Sequence, residues 1–362
     1  MKNTIGNHVS VTLFGESHGP SVGVVIDGLA PGLPVDEAVI ADLLSRRRPQ
    51  GAIATARQEA DAFVIESGVF NGKTTGTPVC IRIPNMDARS ADYTDVERLA
   101  RPGHADVAAH CKYNGYEDYR GGGHFSGRIT AALVAAAGIV IPALEKKGIR
   151  IGTHIRRLGG VNDRTFMDVN ADVDSLRTRF PVLDENVKET MTECILAAKA
   201  DGDSVGGVLE TAVVGMPAGV GEPWFDTMEG MLSHALFSIP AIKGVEFGDG
   251  FALADLRGSQ ANDAWYMHGT PVTETNHNGG INGGITNGMP LIFRCAVKPT
   301  PTIAREQNTI SLTSGEEGVL AARGRHDPCI VHRAAVVVDA VTALVLCDVL
   351  TGRYGTDWLG EV

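Results

Sequence analysis

Ser21-Val22-Gly23 opens an apolar run that reaches Asp27 and breaks at Gly28-Leu29-Ala30-Pro31-Gly32, where a helical pattern begins. Ser204-Val205-Gly206 opens a second run, which breaks at Gly215-Met216-Pro217-Ala218-Gly219 before another helical pattern. Two strand–turn–helix units of like construction hint at internal duplication. Apolar runs predict further strands at 9–14, 62–67, 79–83, 149–155, 208–214 and 291–297. Helical spacing predicts helices at 36–47, 127–147, 185–200, 226–237 and 333–350; the second is alanine-rich and stops at Gly148. No linker rich in Ser, Pro or charge divides the chain. The expectation is one α+β domain over 1–362, an internally duplicated sheet/helix sandwich with similar halves at about 1–200 and 201–350.

Of the 362 residues, 43% are hydrophobic and 21% charged, enough apolar material for a sizeable core. Acids outnumber bases 43 to 32, a net charge of −11. That argues against a general grip on nucleic acid or an anionic membrane, but leaves room for an anionic small molecule held by clustered arginines. The cysteines at 80, 111, 194, 295, 329 and 347 form no CxxC pair and read as reduced thiols of a cytoplasmic protein. The first residues have no apolar signal core. The apolar stretches 131–144 and 334–350 are broken by Gly138, Pro142, Asp339 and Asp348, short of the roughly 18 uninterrupted residues of a membrane span.

Unusual chemistry gathers in the loops. Phe14-Gly15-Glu16-Ser17-His18-Gly19, Arg101-Pro102-Gly103-His104-Ala105-Asp106 and Gly324-Arg325-His326-Asp327-Pro328-Cys329 each set an imidazole among charged groups on a backbone fixed by Gly or Pro. Imidazoles move protons near neutral pH. Arg120-Gly121-Gly122-Gly123-His124-Phe125-Ser126-Gly127-Arg128 leads into the alanine-rich helix; it reads either as an anion cradle at a helix start or as a plain glycine turn. Arg46-Arg47-Arg48-Pro49 closes a helix, where cations also complement the dipole. Arg101, Arg128 and Arg325 lie inside the loop clusters. Asn276 to Gly284 and Lys298-Pro299-Thr300-Pro301-Thr302 read as ligand walls or as surface turns. A metal-dependent hydrolase built on His18, His104, His326, Asp106 and Asp327 is a competing reading, but no HExxH or paired-carboxylate spacing supports it.

In order along the chain, GESHG, RRRP, RPGHAD, RGGG, GVEFGDGF (244–251), RGSQ (257–260), KPT and GRHDPC resemble the chorismate synthase family. The resemblance implies a lyase of the shikimate pathway. Its reaction turns 5-enolpyruvylshikimate 3-phosphate into chorismate and phosphate by a 1,4-elimination that needs reduced FMN without net redox change. It implies an α+β subunit in a homotetramer, with NADPH a candidate reductant and no metal. By the same resemblance, His18 protonates the departing phosphate, His104 protonates the reduced flavin and Asp327 helps deprotonate its N5. Arg46, Arg47, Arg101 and Arg128 contact the substrate's anionic groups. His124, Phe125, Ser126, Gly283, Lys298, Pro299, Thr300, Pro301, Thr302 and Arg325 contact the flavin. The chain departs from common members at His124-Phe125-Ser126, where Arg-Ser-Ser is frequent. It departs also at Gln50, at Ile53 (with Arg57 nearby to compensate) and at Pro240-Ala241.

Overall fold

The computed structural model describes residues 2–54, 61–86, 99–321 and 327–360. Two five-stranded antiparallel sheets form its outer layers. The first runs Thr4–Ile5, Ser10–Gly15, Ser21–Asp27, Val79–Pro84, Val64–Ser67 across the sheet. The second runs Val161–Asn162, Arg150–Leu158, Gly207–Val214, Leu291–Val297, Ile242–Phe247. Register is fixed by period-2 burial: Val24 pairs with Leu13 and Ile81, and alternate residues Val22, Val24 and Ile26 are fully buried.

Helices fill the space between the sheets. Thr130–Lys146 lies on the first sheet and Val331–Tyr354 on the second, and the two pack against each other. Counted with the helical turn before the first of them, as Gly127–Lys146 and Val331–Tyr354, both are long and apolar enough to cross a membrane, yet most of each is buried inside this sandwich. A helix apolar all round belongs in such a double-sided core. Glu37–Arg47 packs across both central helices, and Met228–Leu236 packs on the second. Gly138 allows the closest approach, because a Cβ there would lie 2.6 Å from Ile40 Cγ1. Asp36 caps its helix by accepting from the Ala38 amide at 2.8 Å, and Gly148 turns the chain at a left-handed φ of 80°.

Four strands of each sheet are threaded alike: two adjacent strands are followed by a short helix, the far edge strand, the strand between and a long central helix. Asp106–Tyr113 is added before the first central helix, and Val161–Asn162 and the helices Val169–Ser175 and Val187–Ala200 are added between the first two of these strands in the second sheet. The passage from the first system to the second falls at Gly148, between the first central helix and Arg150–Leu158. Ser21–Asp27 and Gly207–Val214 occupy equivalent places.

The second sheet carries a buried ion ladder on the face turned from the central helix. His154 holds Asp163 through Nδ1 at 3.0 Å and Glu210 through Nε2 at 3.0 Å, and all three side chains are nearly sealed from solvent. Burial alone would push the imidazole pKa down; the two carboxylates outweigh it and raise it above 6.5. A raised pKa contributes stability fully below the unfolded value of 6.5 and loses it as pH climbs through the folded value. Denaturant midpoints at pH 6 and pH 9 should therefore differ in the wild type, and His154→Gln should shrink that difference while lowering both.

Candidate active site

A cleft of about 660 Å³ opens where four helix ends converge. The starts of both central helices contribute Arg128, Thr130, Ile330, Arg333 and Val337, and the ends of the two short helices contribute Arg47, Arg48 and Phe237 to Ile242. Helix starts carry partial positive charge. Six cations (Arg47, Arg48, Arg128, Lys243, Lys298, Arg333) line the wall against two carboxylates, Asp61 and Asp327. A chain of net charge −11 thus builds a cationic pocket.

Asp61 organises one side. Its buried carboxylate takes Arg47 Nη2 at 3.2 Å through one oxygen and Arg128 Nη1 through the other. Burial alone would raise its pKa; Arg47 and Arg128 outweigh that and hold the group below the usual carboxylate range. Burial, with repulsion from Arg333 and Arg128, brings Arg47 down to about 10 against the pull of Asp61. Arg128 also donates from Nε to Asn85 Oδ1 at 3.0 Å. Arg333 donates from Nε to the Arg47 carbonyl at 2.8 Å and from Nη1 to Asp327 Oδ2 at 2.5 Å, so it ties the second central helix to the end of the first short one.

His104 sits at the junction between its loop and the helix Asp106–Tyr113. Asp106 accepts from Arg101 Nε at 2.8 Å, from Arg101 Nη2 at 2.7 Å and from His104 Nδ1 at 2.8 Å. Burial would raise the Asp106 pKa, but these bonds hold it well below the usual range. A carboxylate held ionised only accepts, so His104 Nδ1 carries a proton and Nε2 is left for chemistry. The 3.0 Å approach of Arg101 Nη2 to Nδ1 is then a contact between two donors, not a bond.

The glycine turn brings the two predicted imidazoles to neighbouring places. Gly121, Gly122 and Gly123 all have positive φ. A Cβ on Gly121 would lie 2.1 Å from His18 Nδ1, and one on Gly122 would lie 3.1 Å from His104 Cε1. The Ser17 amide donates to the Gly123 carbonyl at 3.0 Å and ties the GESHG loop to the turn. His104 lines the cleft; His18, 8% exposed, packs against the turn outside the cleft wall.

The remaining predicted residues divide. His124 lines the cleft and donates from Nδ1 to the Gly15 carbonyl at 2.8 Å. Phe125, Ser126, Lys298, Thr300, Pro301, Thr302 and Asp327 also line it, and Lys298 Nζ bonds the Gly103 carbonyl. Arg46 faces away, paired with Asp42 at 3.1 Å, because neighbours on a helix point about 100° apart. Arg101 is turned to Asp106 behind the wall. Pro299 is exposed beside Gly206, and Gly283 lies on an exposed hairpin turn with φ 62°. Arg57, Arg325 and His326 lie outside the described residues. Sequence reasoning missed Arg48, Asp61, Lys243 and Arg333 as site residues, although Arg48 stands in the RRRP motif. Arg333 had a signal, standing six residues after Asp327 at a helix start; Asp61, between an arginine-rich turn and a strand, had none.

Among the described residues, no three His, Cys, Asp or Glu side chains converge as metal ligands. A flat aromatic cofactor with an anionic tail suits the cleft. Phe125, Phe237, Ile239 and Ile330 offer apolar contact, the cations offer anion contact, and Arg48 Nε and Thr300 Oγ1 are buried in the wall with no hydrogen-bond partner among the described residues.

The chain matches the family model described as chorismate synthase over residues 9–351. It is 46% identical over 364 residues to a chorismate synthase of Thermococcus gammatolerans, covering 99% of each chain. It is 47% identical over 349 residues to that of Pyrococcus abyssi, covering 96% of this chain and 97% of the relative. A chorismate synthase crystal structure superposes with a TM-score of 0.76 at 30% identity, covering 98% of this chain and 95% of that one.

Proposed function

The chain belongs to the chorismate synthase family, lyases of aromatic biosynthesis, and from that premise we propose that it makes chorismate from 5-enolpyruvylshikimate 3-phosphate by a 1,4-elimination dependent on reduced FMN. The observation that carries this reading is a cationic cleft with one orientated imidazole at its edge: Arg47, Arg48 and Arg128 beside His104, whose tautomer Asp106 sets.

The anionic substrate is held by Arg47, Arg48 and Arg128. Charge-assisted bonds of this kind are worth roughly 1.5–3 kcal/mol each. Cations around a departing phosphate stabilise the charge it develops. By the resemblance His18 is the acid for that phosphate; its ring packs behind the glycine turn, outside the cleft wall, so the turn has to shift for the ring to reach the phosphate. His104, held at Nδ1 by Asp106, acts as an acid through Nε2 on the cofactor side of the cleft once that nitrogen has taken up a second proton, and Asp327, steadied by Arg333, accepts the proton given up there. His124, Phe125, Ser126, Lys298 and Thr300–Thr302 hold the flavin, with Arg325 and Gly283 assigned by resemblance. Reduced FMN, when bound, supplies the transient electron density that no side chain can offer. NADPH is the candidate reductant.

We place the enzyme in the cytoplasm as a homotetramer. Trp224, Phe225, Phe251 and Met267 are 72–96% exposed, a liability in a lone subunit that assembly would cover.

The test is anaerobic turnover of the enolpyruvyl phosphate with dithionite-reduced FMN, followed by phosphate release. Turnover is expected with reduced FMN and none with oxidised FMN alone; equal rates in both would sink the reading. Repeating it with NADPH and oxidised FMN tests self-reduction.

A further inference from the structure

The Asp61 side chain is 0% exposed, between guanidiniums that are themselves 7% and 3% exposed. Its backbone takes a left-handed φ of 51°, which Asp tolerates better than most residues. Each carboxylate oxygen meets a different arginine, one from the end of a short helix and one from the entry to a central helix. A small oxyanion bridging two arginines would bind the same way; here the protein supplies the anion itself.

We propose that Asp61 is a positioning residue that presets Arg47 and Arg128 for an anionic group of the substrate and sets the residual positive charge of that wall. This rests on the reading of the cleft as the substrate's anion site. Two buried guanidiniums with no anion between them repel each other and rotate apart. Burial already drives Arg47 towards losing its proton, and Asp61 opposes that. The arriving anion therefore meets cations that are charged and fixed, and pays little for organising them. One of the two positive charges stays compensated, so the wall can hold the anion and still release it.

The test uses steady-state kinetics together with thermal melting titrated with inorganic phosphate at constant ionic strength. Asp61→Asn keeps the shape and removes the charge. It is expected to raise KM for the enolpyruvyl phosphate about tenfold or more, with a smaller change in kcat. Asp61→Glu, which restores the charge on a longer arm, should give an intermediate KM. Asp61→Asn should also melt lower than wild type, and phosphate should lift its melting temperature more than it lifts the wild type's, because phosphate takes the carboxylate's place. A wild-type KM in Asp61→Asn overturns the proposal. So does a lowered melting temperature that phosphate raises no more than in wild type, the mark of a merely structural carboxylate. Should Asp61→Asn not fold, Asp61→Glu decides: a raised KM with near-native melting supports the proposal, and an unchanged KM overturns it. Failure of the underlying reading looks different, since the wild type itself would then show neither inhibition by phosphate nor a phosphate-dependent rise in melting temperature.

Discussion

Replacing His104 by alanine is expected to lower kcat by about 10²–10⁴-fold, the usual worth of a positioned proton donor, while leaving phosphate binding nearly unchanged. The fold should survive. His104 is not a core residue, and the Arg101–Asp106 pair that anchors its loop remains, with bonds of 2.7 and 2.8 Å. The cations we propose for phosphate lie on other elements, at Arg47, Arg48 and Arg128. Anaerobic phosphate release measures the first quantity, and the phosphate-dependent melting shift measures the second. Equal losses in both would make His104 a structural support of the cleft. Turnover within twofold of wild type would remove it from the reaction. A weaker companion effect is expected for Asp106→Asn, which still fills the space but no longer fixes the tautomer.

Gly121→Ala should have the second largest effect. The new Cβ would stand 2.1 Å from His18 Nδ1 and Cε1, far inside contact distance, and the φ of 59° charges a further cost of about 1–2 kcal/mol to any residue with a Cβ. The His18 ring has to move by more than an ångström, and misplacement on that scale costs on the order of 10²-fold in rate. Gly122→Ala meets the His104 ring at the gentler distance of 3.1 Å and should lose less. The order of the two kcat values, with melting temperatures measured alongside, checks the argument. Wild-type turnover in Gly121→Ala would separate His18 from the chemistry.

Much of the sandwich was legible from its apolar runs: strands such as Val79–Pro84 and Leu291–Val297 bury alternate residues, and the two central helices stand out as long runs buried almost all round. The predicted helix 36–47 differs from Glu37–Arg47 only in counting its cap, Asp36. The last helix runs a little further than predicted at both ends, from Val331 to Tyr354, and carries Asp348 inside it, whose carboxylate accepts from the amides of Asn7, His8 and Val9. The strand Ile242–Phe247 was hidden by its glycine and its charged residues, and the helix Asp106–Tyr113 by a loop motif that runs into its first turn. The like threading of the two sheets places a repeat boundary, on our proposal, at Gly148 rather than near residue 200. At the site, motifs disclosed residue types but not partners. No spacing in the sequence could show that Asp61 lies between Arg47 and Arg128, since that contact depends on how two helices and a turn pack.

The four helix ends around the cleft come in matched pairs, one short and one long helix from each sheet system. Their walls have diverged: Arg47-Arg48-Pro49 faces the pocket from one side and Phe237-Ser238-Ile239-Pro240 from the other. A doubled scaffold thus makes a single shared basin whose two shores can mutate independently. Both shores share the electrostatics, with Arg47, Arg48 and Arg128 on one and Lys243, Lys298 and Arg333 on the other, while the largely apolar turn 237–240 comes from one alone, an asymmetry that two separate copies of the half-unit, bound as identical twins, could not reach.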